Sequence, residues 1–268
     1  MRGRHRYTLP LDGARDPDLE SARLFAAGAV GVWVQDDRVT GWFDAPTVEV
    51  PPGGSWIVED DRDWQAEWKA TIEPVRAGRV VVVPSWLADA HQPEPDDVII
   101  VLDPGRAFGS GHHATTCLCL ELLQGLGADG WRVLDVGTGT GVLAIAAVRL
   151  GAAEVWAADT DEDAITAATE NLARNEVGDE VVLVHGSVAD ASGHFDVVLA
   201  NLTSDTLRAL AAELAAATTP GGALIASGIA DERAGSTLLA LTEQGFEVVR
   251  TCSRDGWTAV LTRRGGDS

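Results

Sequence analysis

Cysteine and long apolar runs are both scarce in this sequence of 268 residues. The three cysteines, Cys117, Cys119 and Cys252, form no C-x-x-C pair, and their odd number argues against a disulfide framework. No apolar run approaches the ~20 residues that a membrane-spanning helix requires. The basic N-terminus is not followed by the apolar stretch of a signal peptide. We therefore expect a cytoplasmic protein with reduced cysteines and no membrane as a partner.

Basic residues are also in short supply, since 20 Lys and Arg stand against 41 Asp and Glu and give a net charge of −21. Phosphate binding depends on Lys and Arg, so this balance argues against nucleic acid as a direct partner. An acidic surface keeps a protein soluble, and it also attracts basic partners. Solubility alone is the simpler interpretation, and a cationic substrate protein is the second.

The order of the elements divides the chain into a small N-terminal domain and a larger one. Residues 1–57 hold a short strand, a helix and a β-hairpin, followed by Pro and Gly. We predict a small α+β substrate-recognition domain there, with a purely structural cap as the alternative. Residues 58–75 carry Trp64 and Trp68 one turn apart and predict a linker helix. The large domain is predicted to occupy residues 76–268.

From Trp131 onward, strands alternate with helices that have one apolar face. Five short apolar segments predict strands, and they begin at Val133, Glu154, Val181, Phe195 and Ala223. Residues 246–249 and 257–261 predict an antiparallel hairpin at one edge, and the runs at 80–83 and 98–102 predict paired strands entering the domain. The alternation predicts an α/β fold, a Rossmann-like, doubly wound and mainly parallel sheet with an antiparallel edge hairpin.

The glycine loop that follows the first of these strands, residues 137–141, is the most informative segment. Strand, glycine turn and helix in that order leave backbone N–H groups free at the carboxyl end of a strand, where open α/β sheets bind ligands. A dinucleotide-binding loop would read G-x-G-x-x-G, but Val142 stands at the last position. Asp135 inside the preceding strand is a second difference. Both features fit S-adenosylmethionine better than a pyrophosphate.

Two acids near this loop match the polar groups of S-adenosylmethionine. Asp135 can accept a hydrogen bond from its ammonium group, directly or through water. Asp159 ends the second strand and is placed to accept from the two ribose hydroxyls, as the acid after a dinucleotide motif does. The alternative for Asp159 is a helix N-cap, but Asp161 suits that position better. S-adenosylmethionine is therefore the predicted cofactor.

A second glycine-containing segment, residues 103–116, precedes an apolar helix. Its Ser, Thr and free N–H groups would cap the helix or meet a carboxylate. His112 and His113 are adjacent there, but no further His or Cys follows at a ligand spacing, so no metal site is predicted.

Four segments carry a resemblance to a known family: AFGSGHHATT at 107–116, LDVGTGTGVLAIAA at 134–147, ADTD at 158–161 and ANL at 200–202. They resemble motifs of the ribosomal protein L11 methyltransferase family, and the likeness covers nearly the whole chain. Ser110, Ala114 and Glu162 differ from the residues usual in that family, and none of them removes a group that the site needs.

The resemblance implies a class I S-adenosylmethionine-dependent protein methyltransferase that acts on lysine ε-amines, the N-terminal α-amine or both in ribosomal protein L11. It implies an N-terminal domain that moves and presents the substrate, and we expect a monomer. The residues predicted to bind the cofactor fall in the four segments: Phe108, Thr115, Thr116, Asp135, Gly137, Gly139, Asp159 and Asn201.

The implied reaction is a displacement at a sulfonium methyl group, which needs neither a metal nor a covalent nucleophile. Catalysis then consists mostly of holding an amine in line with the C–S bond. The amine must first lose its proton, and the nearby sulfonium lowers the pKa of the amine. Asn201 is the predicted catalytic residue, orienting that amine through its side-chain or backbone carbonyl. His112 or His113 as proton acceptor is an alternative to a structural role.

Three other functions stay open on the sequence alone. The enzyme could methylate lysines of a different protein. It could instead be an NAD-dependent oxidoreductase, which would bind NADH and not S-adenosylmethionine. The chain could also be a ribosome-associated binder that has kept the fold without the catalysis.

Overall fold

The structure, a computed structural model, describes residues 4–11, 15, 17–35, 37–59, 73–103, 113–127 and 130–266. The chain divides into two compact units, Met1–Ile72 and Glu73–Ser268. The predicted linker helix at 58–75 lies mostly outside the described residues, and the division of roles between the units stays a prediction.

The small unit is an antiparallel four-stranded sheet with one helix. Its elements in chain order are β1 Arg4–Pro10, α1 Pro17–Ala26, β2 Gly31–Gln35, β3 Arg38–Phe43 and β4 Ser55–Glu59. The strands lie in the order β2-β3-β1-β4, and one cluster of buried apolar side chains that includes Leu9, Leu24 and Phe43 forms the core. The predicted strand, helix and hairpin are confirmed. β4 was not predicted, and the boundary placed after residue 57 falls inside this strand.

Two sheets build the large unit. The first has three strands, β5 Val75–Ala77, β6 Val80–Pro84 and β7 Val98–Leu102, with β6 and β7 paired in parallel. The second has seven: β8 Arg132–Val136, β9 Glu154–Asp159, β10 Val181–His185, β11 Phe195–Asn201, β12 Thr218–Ala230, β13 Phe246–Arg254 and β14 Trp257–Arg264.

The seven strands lie in the order β10-β9-β8-β11-β12-β14-β13. The first five are parallel, and β14 runs antiparallel to both of its neighbours, which leaves β13 at the edge. This confirms the predicted mainly parallel sheet with an antiparallel edge hairpin. β12 begins earlier than predicted, since Thr218 already pairs with Phe195. The register then shifts at the predicted turn, and pairing resumes between Ala223 and Val197.

Helices cover both faces of the seven-stranded sheet. They are α2 Ala114–Leu126, α3 Val142–Arg149, α4 Glu162–Arg174, α5 Ser204–Ala209, α6 Ala211–Ala217 and α7 Ala234–Glu243. Successive strand residues point to opposite faces, so Val133 joins one apolar cluster and Leu134 the other. A sheet buried on both faces explains the continuous apolar runs in the sequence. In the part of the chain that the structure describes, no helix is long and apolar enough to cross a membrane.

Candidate active site

The glycine turn between β8 and α3 has left-handed backbone angles that residues with a side chain rarely adopt. Gly137, Gly139 and Gly141 have φ angles of 71°, 55° and 82°, a region that is free of steric cost only for glycine. The N–H of Gly137 donates to the carbonyl of Ala158 at 2.8 Å, which ties the turn to the end of β9. A Cβ on Gly137 would collide with the side chain of Leu202. Gly137 and Gly139 line the cavity in front of the turn with backbone atoms alone.

Asp159, at the end of β9, faces this turn directly. One carboxylate oxygen accepts from the N–H of Gly139 at 2.9 Å and the other from the N–H of Asp161 at 3.0 Å. A carboxylate oxygen accepts two hydrogen bonds, so both oxygens can also take the adjacent hydroxyls of a sugar. Asp161 is the N-cap of α4 and accepts from the N–H of Asp163, as predicted.

Asp135 lies beneath the turn and is 1% exposed. Its Oδ2 accepts from the hydroxyl of Thr138 at 2.6 Å, whereas its Oδ1 has no hydrogen-bond partner among the described residues. Burial raises the pKa of Asp135 to about 7, against a smaller lowering by the Thr138 hydroxyl. An unpaired buried acceptor costs free energy unless a donor reaches it. This atom fits a bound ammonium group, directly or through water.

Asn201 ends β11 and lies beside the first turn of α2. Its Nδ2 donates to the hydroxyl of the fully buried Thr116 at 3.4 Å, and its buried Oδ1 is without a partner in the described ranges. The hydroxyl of Ser227 donates to the carbonyl of Thr115 at 3.1 Å. These contacts bring Asn201 and Ser227 next to the Thr115–Thr116 pair, although the two pairs are distant in sequence. Phe108, the remaining predicted residue, lies outside the described residues.

His113 is the N-cap of α2, a role that the sequence did not indicate. Its Nδ1 accepts from the N–H of Thr115 at 3.4 Å and lies 2.8 Å from the Thr115 hydroxyl. Its ring meets Trp257 edge to face, with the centroids 5.0 Å apart. Burial lowers the pKa of His113, which favours the neutral ring. His112 lies outside the described residues, so its role stays a prediction.

A cavity of about 440 Å³ opens in front of the glycine turn. Its walls combine residues predicted to bind the cofactor with others that were not assigned to it: Thr115, Gly137, Gly139, Asp159 and Asn201 with His113, Leu202, Thr206, Gly228 and Trp257. An adjoining cavity of about 490 Å³ extends past Asp159 to Gly186 and Ser187. Together they have the size of a small-molecule site. Among the described residues, no group of three or more His, Cys, Asp or Glu is arranged to hold a metal ion.

Three features together define a class I methyltransferase. They are the mainly parallel sheet with an inserted antiparallel strand, the glycine turn, and the acid at the end of the neighbouring strand. Residues 44–265 match the model of the family described as Ribosomal protein L11 methyltransferase (PrmA). The chain therefore belongs to the ribosomal protein L11 methyltransferase family.

Individual relatives agree with this assignment. The chain is 42% identical over 264 residues to the ribosomal protein L11 methyltransferase of Geobacter sulfurreducens, covering 97% of this chain and 87% of that protein. It is 47% identical over 205 residues to the protein of the same name from Pelotomaculum thermopropionicum, covering 76% and 66%. The crystal structure of a ribosomal protein L11 methylase from Lactobacillus delbrueckii subsp. bulgaricus is 34% identical, with a TM-score of 0.68, covering 72% of this chain and all of that one (100%).

Proposed function

We propose that this chain transfers methyl groups from S-adenosylmethionine to amines of ribosomal protein L11. Family membership supports the reaction class, and the names of the relatives support the substrate. The observation that carries the cofactor is the carboxylate of Asp159, fixed by the N–H groups of Gly139 and Asp161 with acceptor capacity left over. A ribose would be bound at this position, as it is by the acid of a dinucleotide site. The feature that favours S-adenosylmethionine over a dinucleotide is the buried Asp135 beneath the turn, whose Oδ1 has no partner among the described residues.

The residues of the cavity suit the separate parts of the cofactor. Asp159 would hold the ribose, and the backbone at Gly137 and Gly139 would meet the methionine portion, whose ammonium finds the unpaired Oδ1 of Asp135. Thr115 and Thr116 would line the same side, and Phe108 stays a predicted contact outside the described residues. The bound cofactor supplies a methyl group on an activated leaving group. The contribution of the chain is to hold that methyl group and exclude competing orientations.

Asn201 is the residue that we propose orients the accepting amine. Its amide is held from one side by Thr116, which leaves Oδ1 as an acceptor for an amine N–H. An amine that donates to this oxygen must present its lone pair elsewhere, toward the methyl group. A neutral amine is needed, and the neighbouring sulfonium favours loss of its proton. The target amines are lysine ε-amines, the N-terminal α-amine or both.

The small unit is the part that we propose recognises the protein substrate. It has a core of its own, and its residues, Met1–Ile72, precede the predicted catalytic domain in the chain. The charge of −21 on the whole chain would attract a basic substrate over long range. We propose that the chain acts as a monomer. Its ribosomal substrate implies that it acts in the cytoplasm.

Mass spectrometry of purified ribosomal protein L11 after incubation with the chain and S-adenosylmethionine tests the proposal. We expect mass increments of one methyl group each, located on lysines or the N-terminus by fragmentation. The Asn201→Ala variant should lose most of the rate, and the fragment 73–268 should bind S-adenosylhomocysteine but leave the substrate unmodified. Methylation of a different ribosomal protein alone would overturn the substrate. Full activity in Asn201→Ala would overturn the role of that residue.

A further inference from the structure

Two asparagines, Asn171 on α4 and Asn175 at its C-cap, hydrogen-bond to the edge of β7 as a neighbouring strand would. Asn175 accepts from the N–H of Val101 at 2.8 Å and donates to its carbonyl at 2.6 Å. Asn171 does the same with the N–H and carbonyl of Asp103, at 2.9 Å and 3.3 Å. Residues four apart share a helix face, and residues two apart share a strand edge, so the two periodicities match. Both asparagines are buried.

Asn171 makes one further contact that Asn175 does not. Its Nδ2 also donates to the carbonyl of Thr140 at 3.0 Å, inside the glycine turn. Thr140 lies between Gly139, whose N–H binds Asp159, and Gly141, which is the N-cap of α3. α4 also packs against the turn through Ala168, whose Cα lies 3.5 Å from where a Cβ on Gly141 would stand. One face of α4 therefore both packs against the turn that lines the cavity and donates a hydrogen bond to it.

We propose that Asn171 is a positioning residue for the methyl donor. The proposal rests on the donor site described under the proposed function. Three glycines give the turn unusual conformational freedom, and ordering them costs entropy. A buried side-chain amide that holds the Thr140 carbonyl limits that freedom, so that the N–H of Gly139 and the carboxylate of Asp159 keep their places. Asn171 acts through the turn and does not line the cavity.

The test compares Asn171→Asp with Asn175→Asp in the full-length chain. Each substitution keeps the acceptor for the edge of β7 and removes two donated hydrogen bonds. Both lose the bond to the β7 edge, but only the first loses the bond to Thr140, whereas the second loses the bond to the carbonyl of Asn171. We expect both variants to lose similar thermal stability. The Kd for S-adenosylhomocysteine, measured by titration calorimetry well below both melting temperatures, should rise roughly 5- to 20-fold in Asn171→Asp, as for one lost buried hydrogen bond. In Asn175→Asp it should stay within about twofold.

A second pair, Asn171→Leu and Asn175→Leu, removes both amides without adding a charge, and the same contrast is expected. Equal Kd values for the 171 and 175 variants, or a Kd in Asn171→Asp unchanged from the wild type, would overturn the positioning role. The wild-type titration separates this result from the proposed function. A wild type that does not bind S-adenosylhomocysteine overturns the donor site itself, together with the inference built on it.

Discussion

The buried carboxyl of Asp135 makes the stability of the folded chain depend on pH. Its pKa is raised by burial from 3.8 to about 7. Between these pH values the folded chain binds a proton that the unfolded chain releases. The contribution of Asp135 to the free energy of unfolding is therefore fully present below about pH 4, and it falls by ~1.4 kcal/mol per pH unit until about pH 7.

Asp135→Asn has no such proton and should not show this loss. The difference in free energy of unfolding between variant and wild type should therefore grow in favour of the variant as the pH rises from about 4 to about 7. Urea denaturation at several pH values measures it, with the difference between the two chains cancelling the other titrating groups. A difference that stays constant over this range would contradict the buried, protonated carboxyl.

The sequence predicted the roles of some residues at the site and missed those of others. Asp161 was predictable because a cap depends on the residues next to it, and Asp159 because the carboxyl ends of neighbouring parallel strands share an edge. Trp257 was not, since it reaches the cavity only through the insertion of β14 between β12 and β13. The ring of His113 as a cap was missed because capping is usually provided by Ser, Thr, Asp or Asn.

At the scale of elements, the glycine turn depends on left-handed backbone angles and, at Gly137, on the absence of a side chain beside Leu202. Gly137→Ala would place a methyl group against Leu202 and in a left-handed backbone. The matched position is Gly127, which follows the end of α2. It has a similar φ of 66°, but a Cβ there would meet no atom within 4 Å.

We expect Gly127→Ala to lose ~1 kcal/mol of unfolding free energy from the backbone alone. Gly137→Ala should lose clearly more and should also bind S-adenosylhomocysteine more weakly. Chemical denaturation and calorimetry on both variants measure this, and equal effects would show that the collision does not matter.

The parallel strands were the most predictable elements. β8, β9 and β11 are short apolar runs that contribute buried residues to the core, and β10 is a short apolar run at the partly exposed edge of the sheet. β4 was missed because its partner, β1, lies about fifty residues earlier and no local signal marks the pairing. The excursion in β12 was predicted as a turn, but the pairing of Thr218 before it depends on Phe195 in another strand.

For the whole molecule, composition and motifs predicted the fold class correctly because every level of the sequence agreed. Apolar runs, glycine turns and helix caps all specify the same alternating sheet. The limits of the small unit were less clear, since a unit of this size has only one small core. The acidic balance gave no fold information, but it is consistent with a basic protein substrate.

Titration calorimetry with S-adenosylhomocysteine and with NADH, on the wild type and on Asp159→Ala, is the most direct test of the central claim. The claim is that the turn after β8 and the acid at the end of β9 together hold a sulfonium nucleoside. We predict one binding site for S-adenosylhomocysteine, no binding of NADH, and affinity weakened by ~1–3 kcal/mol in Asp159→Ala, the scale for a lost charge-assisted hydrogen bond. Unchanged affinity in that variant, or a preference for NADH, would contradict the account.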